Sequence, residues 1–328
     1  MPDPATTLAL SAARRGDAVG AARLLEAAAA AGDGEAAFML AQWRLAGDVI
    51  RRDLSVARQW YGRAAELGVP SAADAYIALL ANGAGGSGRR WQEALDTLAR
   101  SSTANPRSRR EVALVAAMKI DGDGNPTAHA ASTNLSQSPD IRAFPGFLTP
   151  DECRFLVKHA EPLLQDAVVV DPRTGALIRH PIRTARSAAF PFTAESPLLH
   201  AINRRIAAAT GTSYEQGEPT QILSYGPGEE YRLHSDAIAG DPNQRVATFL
   251  VTLAAGFSGG ATRFPRLGLS WRGKIGDALF FRNVDAAGQA DRNADHAGEA
   301  VSGGRKIILS KWIRARPLDL SGPPGRPL

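Results

Sequence analysis

The sequence predicts an α+β protein in two parts, an α-helical repeat array followed by an antiparallel β sandwich or barrel. Three observations predict it. Alanine is crowded at one end, taking 27 of the first 100 positions. The same stretch repeats itself at a spacing of 36, with Ala21 matched by Ala57, Gly32 by Gly68, Ala37 by Ala73 and Gly47 by Gly83. From Ile141 onward alanine thins out, and short alternating apolar runs separated by Gly and Pro take over.

A 36-residue period suits one helix–turn–helix unit of a solenoid. Within a unit, Phe38, Leu40, Ala41 and Leu45 form one apolar helical face ending near Gly47, and Ala57, Trp60, Tyr61, Ala64 and Ala65 form a second ending at Gly68. Small contact residues let stacked helices approach closely, which explains the alanine. Degenerate half-units at Ala12–Gly32 and Ala113–Gly122 are expected to cap the array, giving a helical domain over 1–122. Residues 123–139 have the Gly, Asn, Pro, Ser and Thr composition of a linker. The sheet domain is expected over 140–328. Thr149 should cap a helix with Asp151 and Glu152 in its first turn and Phe155, Leu156 and Leu163 on its apolar side. Strands are expected at Gln221–Tyr225, Ala247–Leu253, Ala278–Phe281 and Lys306–Ile313.

Composition excludes several classes. Hydrophobic residues at 44% and charged residues at 22% are ordinary globular values. One cysteine, Cys153, rules out an intramolecular disulfide framework and a zinc site of several thiolates, and it reads as a small core residue. No apolar run reaches the roughly 18 residues of a membrane span, and the start of the chain lacks a basic signal-like segment, so a cytoplasmic protein with no membrane partner is expected. A net charge of +5 over 328 residues, without interleaved aromatics in the basic clusters, speaks for solvated surface and against a nucleic-acid partner.

Six histidines can be weighed one by one. His234 and Asp236 follow the extended run Glu230–Leu233; two apart on a strand, they project from one face and can reach one metal ion. His296 lies at the start of the last strand region, after the Gly/Asn/Asp-rich stretch Asn283–Asp295, and Lys306 follows ten residues later. Two imidazoles and a carboxylate with open positions form the facial triad of non-haem Fe(II) oxygenases, and a lysine can hold the far carboxylate of a 2-oxo diacid as a point charge. His129, His159, His180 and His200 are assigned no role, His159 being read as surface and His180 and His200 as loop residues. Gly83–Gly88 reads as a loop between repeat helices, lacking the ending of a phosphate-binding loop.

Two resemblances follow from these residues. Ala36-Ala37-Phe38-Met39-Leu40-Ala41, Gly47, Ala57-Arg58-Gln59-Trp60-Tyr61 and Ala64-Ala65-Glu66-Leu67-Gly68 resemble SEL-like, tetratricopeptide-like repeats. Such arrays bind partners; the alternative is a helical packing appendage. Residues from about 141 to 315 resemble the prolyl 4-hydroxylase group of Fe(II)/2-oxoglutarate dioxygenases. The matching stretches, in order, are Phe147-Leu148-Thr149 with Glu152-Cys153; Tyr225-Gly226-Pro227-Gly228-Glu229-Glu230-Tyr231; His234-Ser235-Asp236; Arg245–Leu250; Gly259-Gly260-Ala261-Thr262 with Phe264-Pro265; Gly276–Phe281; and His296, Gly304-Arg305-Lys306 and Lys311-Trp312.

The resemblance implies a double-stranded β-helix (jelly roll), Fe(II) on His234, Asp236 and His296, and 2-oxoglutarate held by Lys306, Tyr225 and Thr248, with O2 consumed and ascorbate as a possible helper. For Tyr225 the alternative is a half-buried strand tyrosine, for Thr248 a simple sheet residue. Arg183 or Arg186 falls where the family has an arginine near the substrate, or neither does. Ala300 stands where the family often has proline, which leaves the local loop less predictable. The implied reaction turns 2-oxoglutarate into succinate and CO2 and hydroxylates an unactivated C–H; Asp236 favours this over halogenation, which needs that position open. A prolyl or related residue of a peptide or protein, docked by the repeats, is the implied substrate. A free amino acid or small natural product, and a repeat-based scaffold with a non-catalytic jelly roll, are the alternatives.

Overall fold

The computed structural model describes residues 4–103, 105–167, 169–170, 177–178 and 182–320; His180 lies outside these. Seven helices come first: α1 (Pro4–Arg14), α2 (Ala18–Ala30), α3 (Gly34–Ala46), α4 (Leu54–Glu66), α5 (Pro70–Asn82), α6 (Trp91–Ser101) and α7 (Pro106–Ala116). Each packs on the next in sequence. Asp17, Asp33, Asp53 and Asn105 cap α2, α3, α4 and α7 by accepting backbone N–H bonds. Gly47 and Gly83, 36 apart, close α3 and α5 with φ of 77° and 85°, a left-handed conformation that glycine adopts without strain. The core of this unit is mostly alanine, with Leu25, Leu40, Tyr61 and Leu79 among the larger buried side chains.

Further along run β1 (Thr133–Gln137), β2 (Asp140–Phe144), α8 (Pro150–Ala160), β3 (Gln165–Asp166), β4 (Val169–Val170), β5 (Leu177–Ile178), β6 (Arg186–Phe190), α9 (Pro197–Thr210), β7 (Thr220–Tyr225), β8 (Tyr231–His234), β9 (Arg245–Thr252), β10 (Ser258–Gly259), β11 (Thr262–Phe264), β12 (Leu269–Trp271), β13 (Ala278–Arg282), β14 (His296–Gly298), β15 (Val301–Gly303) and β16 (Lys306–Arg314). An eight-stranded sheet has the order β1-β2-β13-β9-β16-β7-β6-β3, and a four-stranded sheet the order β12-β11-β14-β8. Their pairings are antiparallel. The sheets meet through Phe264 and Phe281, ring centroids 5.1 Å apart and edge to face. On β9 the residues alternate: Leu250 joins that inner core, while Phe249 turns away against Phe147 and Phe144, at 4.8 and 5.5 Å.

The chain divides into two compact units, one of residues 1–125, 191–202 and 319–328, the other of residues 126–190 and 203–318. This departs from the boundaries read in the sequence at three places, one of them the end of the sheet domain, where Leu320 packs on the helical core and its carbonyl accepts from Arg52 at 2.7 Å. Thr133–Gln137, inside the expected linker, is a strand paired with β2; its polar residues hide an edge strand from hydropathy. Residues 191–202 belong with the helices, because Phe192 joins the helical core, Asn82 donates to the Phe192 carbonyl at 2.7 Å, and buried Glu111 accepts the Leu198 N–H at 3.0 Å. His200, expected in a loop, lies on α9, fully buried with Nδ1 2.7 Å from Glu195. Leu163 is 48% exposed beyond the end of α8, so it is no part of that helix's apolar side. His159 is half-buried, stacked on Phe155 and Phe190. Among the described residues no helix is long and apolar enough to cross a membrane.

Helix α8 opens on the expected cap: Thr149 Oγ1 accepts the Glu152 N–H, and Glu152 Oε2 accepts the Thr149 N–H at 2.7 Å. Glu152 also takes both arms of Arg205, at 2.8 and 3.2 Å, and Arg205 donates to the Phe147 carbonyl. Glu152 is buried, so removing it leaves a guanidinium without its counter-charge. Glu152→Ala is expected to cost about 3 kcal/mol of unfolding free energy, measured by urea titration of the whole chain; Thr149→Ala, which loses only the cap, should cost about 1 kcal/mol.

Candidate active site

Strand register brings the candidate residues together. His234 on β8 lies directly across from His296 on β14, and Lys306 on β16 lies across from Tyr225 on β7. Asp236 follows β8, its Oδ1 3.5 Å from His234 Nε2 and its Oδ2 3.7 Å from His296 Nε2. The three potential ligand atoms lie within 4.8 Å of one another. Among the described residues this is the one group of three or more His, Cys, Asp or Glu so arranged.

The donor set fits a metal because the other side of each imidazole is already used. His234 Nδ1 sits 2.7 Å from the Arg232 carbonyl and His296 Nδ1 3.1 Å from the Ala294 carbonyl. Both Nδ1 atoms must then carry the proton, which leaves the Nε2 lone pairs beside the carboxylate. Burial and the neighbouring His234 push His296 down to about 4, so its ring is neutral at pH 7. Burial acts to raise the Asp236 carboxyl, but His234, His296 and the Thr248 hydroxyl outweigh it and hold the carboxyl well below the usual range. Two nitrogens and a carboxylate oxygen, with no thiolate, suit Fe(II) with open positions.

Thr248 stands one layer out. Its hydroxyl donates to Asp236 Oδ2 at 2.6 Å and accepts from Asn283 Nδ2 at 3.0 Å. The hydroxyl proton is thus engaged by the carboxylate. Lys306 is buried, donates to the Gly260 carbonyl at 2.6 Å and lies 5.5 Å from the Tyr225 ring. Burial pulls its ammonium down to about 8, partly offset by Glu299. Gly260 has φ of 65°, and a Cβ there would stand 3.1 Å from Lys306 Cδ, so the close approach of this carbonyl requires glycine. Burial raises the Tyr225 hydroxyl, with Arg183 acting against the rise.

Of the two arginines, the structure brings Arg183 to the group and leaves Arg186 outside. Arg183 is buried, its guanidinium lies 5.3 Å from the Tyr231 ring, and it donates to Gln221 at 3.2 Å. Arg186 is exposed and donates to the Leu164 carbonyl.

Sequence reasoning missed two aromatics. Tyr231 stacks on His234 with centroids 3.5 Å apart; a register shift in the β8–β14 pairing puts these residues, three apart, on one face. Trp312 shares the cavity with Lys306, Ile308 and Ser310. Counting by twos from Lys306 along an extended strand would have found it.

The arrangement is a group of two imidazoles and a carboxylate that could hold a metal ion, at one wall of a cavity that also takes in a buried cation. The 2OG-Fe(II) oxygenase superfamily matches residues 220–314. Prolyl 4-hydroxylase 1 of Arabidopsis thaliana is 35% identical over 201 residues, covering 56% of this chain and 71% of that protein. Prolyl 4-hydroxylase subunit alpha-1 of Rattus norvegicus is 32% identical over 215 residues, 62% of this chain and 40% of that one. The viral collagen prolyl hydroxylase of Paramecium Bursaria Chlorella virus-1, in its 2OG complex, is 27% identical with a TM-score of 0.44 over 54% of this chain and 96% of that one. The chain belongs to the prolyl 4-hydroxylase family of 2OG-Fe(II) oxygenases. It is a 2-oxoglutarate-dependent dioxygenase, and Fe(II), 2-oxoglutarate and O2 are its cofactor and co-substrates.

Because Thr248 acts on the metal site through Asp236, Thr248→Val is expected to keep the fold and weaken Fe(II) binding about 10- to 100-fold. Anaerobic Fe(II) titration followed by calorimetry checks this; unchanged affinity would remove Thr248 from the site's support.

Proposed function

We propose that this chain hydroxylates a prolyl residue of a peptide or protein, with His234, Asp236 and His296 holding Fe(II), and Lys306 with Tyr225 holding the distal carboxylate of 2-oxoglutarate. The convergence of both Nε2 atoms on Asp236 carries the metal assignment. Similarity to proteins named prolyl 4-hydroxylases supports the prolyl substrate. Arg183, rather than Arg186, is the arginine proposed to meet the substrate, since it lies buried beside Tyr231.

The two antiparallel sheets support a jelly-roll catalytic domain over the second unit. The repeated left-handed glycines at 47 and 83, and at 32 and 68 with φ of 101° and 88°, support the SEL-like repeat reading of the helices; presenting a protein substrate is their proposed role. A single free and buried cysteine supports a cytoplasmic location, where no disulfide is needed.

When bound, the iron with 2-oxoglutarate and O2 supplies the oxidative decarboxylation to succinate and CO2 and the hydroxyl group placed on the substrate carbon. The chain's own residues do the rest. Backbone carbonyls fix the imidazole tautomers, and Thr248 with Asn283 orients the carboxylate. Leu223, Leu250 and Ile308 line the cavity with Tyr225 and Lys306 and give it apolar walls. Buried against those apolar walls, the Lys306 ammonium can neutralise a carboxylate more effectively than in water.

Two measurements test this. With Fe(II), 2-oxoglutarate and prolyl peptides, succinate is expected to form together with one added oxygen on proline, located by tandem mass spectrometry. Asp236→Ala should abolish both. Oxygenation of free proline with peptides left untouched would sink the peptide assignment.

The second is the pH dependence. The dianionic co-substrate binds the protonated amine, so anaerobic 2-oxoglutarate affinity should be level below about 8 and fall by up to about tenfold per pH unit above it. Lys306→Arg should flatten that fall. A wild-type affinity that does not change across this range would contradict the role of Lys306.

A further inference from the structure

We propose that Arg272 is a positioning residue for Lys306, acting through Phe257 and Gly260 to hold the distal end of the co-substrate cavity; this rests on Lys306 holding the distal carboxylate. Arg272 follows β12, outside the metal group, and its Nη2 donates to the Phe257 carbonyl. Its guanidinium also lies 4.8 Å from the Phe257 ring centroid. That ring is buried, joins the core between the sheets, and would stand 3.4 Å from a Cβ at Gly260. Gly260 in turn supplies the carbonyl that accepts the Lys306 ammonium.

The segment bearing Phe257 and Gly260 is held at other points too. The Leu253 N–H donates to the Ile307 carbonyl at 2.8 Å, and the Gly260 N–H to the Ala300 carbonyl at 3.0 Å. At Gly304, just before Lys306, a Cβ would stand 2.1 Å from the Gly256 carbonyl oxygen and 2.9 Å from Phe257 Cα. The turn into Lys306 and the Phe257 segment are therefore in van der Waals contact, and a shift of one displaces the other. A second, small cavity, of about 10 Å³, is lined by both Lys306 and Arg272 together with Phe257, Gly260 and Trp271. The space on the far side of the lysine is thus closed by the arginine that pins the segment. Without that pin, the volume vacated by the guanidinium lets Phe257 turn toward it and the Gly260 carbonyl leave the ammonium. The amine would still carry its charge but would no longer be fixed at the end of the cavity, and a long flexible side chain binds less well when it must first be ordered.

The expected signature is selective for the distal carboxylate. The full chain is loaded anaerobically with Fe(II), and 2-oxoglutarate or 2-oxopentanoate, which has the same carbon chain without the distal carboxylate, is titrated by the metal-to-ligand absorption band. Arg272→Ala should weaken 2-oxoglutarate about tenfold while leaving 2-oxopentanoate unchanged. Arg272→Lys, which can still donate to the Phe257 carbonyl, should recover most of the loss. Equal weakening of both acids, or none of either, overturns the proposal. Lys306→Ala run alongside separates the two readings. If it weakens 2-oxoglutarate and Arg272→Ala does not, only the role of Arg272 fails; if it leaves 2-oxoglutarate unaffected, the distal-carboxylate reading fails and this proposal with it.

Discussion

Antiparallel register is the constraint on which the site depends. His234 and His296 are far apart in sequence, yet opposite each other on β8 and β14, at a separation set by the backbone ladder. A slip of one residue on either strand would turn one imidazole to the other face and dissolve the metal group. Asp236, just past the end of β8, is free of the ladder and can turn its carboxylate between the rings. Lys306 and Tyr225 are fixed in the same way by β16 and β7. The four side chains therefore inherit their positions from backbone hydrogen bonds, and need little adjustment when ligands arrive.

The second requirement is electrostatic. A carboxylate and an ammonium are both buried between sheets whose other inner residues include Leu223, Leu250, Phe264, Phe281 and Ile308, and isolated charges there would be costly. Each is given a partner that does not occupy its working direction. Asp236 takes the Thr248 hydroxyl on Oδ2, and Lys306 takes a single carbonyl, which leaves its other donors available. A neutral acceptor of this kind satisfies the lysine without cancelling its charge; a carboxylate in the place of Gly260 would have done both, and would have competed with a diacid.

How much of this was legible in the sequence depended on whether a residue's role is local. Thr149 and Glu152 sit three apart at a helix start, and the cap forms as read. The four long apolar runs are the four central strands β7, β9, β13 and β16, because buried strands carry their pattern in their own residues. What was not legible depends on the register between strands. Tyr231 stacks on His234 only because of an irregularity in the β8–β14 pairing. Arg183 and Arg186 could not be told apart until backbone pairing put one beside Tyr231 and the other at the Leu164 carbonyl. Thr248 could be placed on a strand but not bonded to Asp236, since that needs the loop after β8 to return toward β9. The edge strand β1 was hidden for a related reason: with half its surface in solvent, it has no need of an apolar pattern.

One strand spans the cavity. Lys306, Ile308, Ser310 and Trp312 are alternate residues of β16 and all line it. At about 3.3 Å of rise per residue, the lysine and the tryptophan stand roughly 20 Å apart along the backbone. That separation belongs to the most buried strand of the sheet, paired on both sides by β7 and β9, and so it is among the last distances in the unit to change. The Lys306 end and the Trp312 end are held on a common rigid element, whereas Arg183, beside the cavity residue Tyr231, lies outside the central strands. Variation around Arg183 can therefore alter what is bound without moving the lysine, whereas the Phe257 segment, packed against the turn into Lys306, cannot shift without disturbing it. In this fold the buried lysine is carried by a central strand of the larger sheet and the metal group by β8 and β14 of the smaller one, and selectivity can be adjusted at the segments that lean on them.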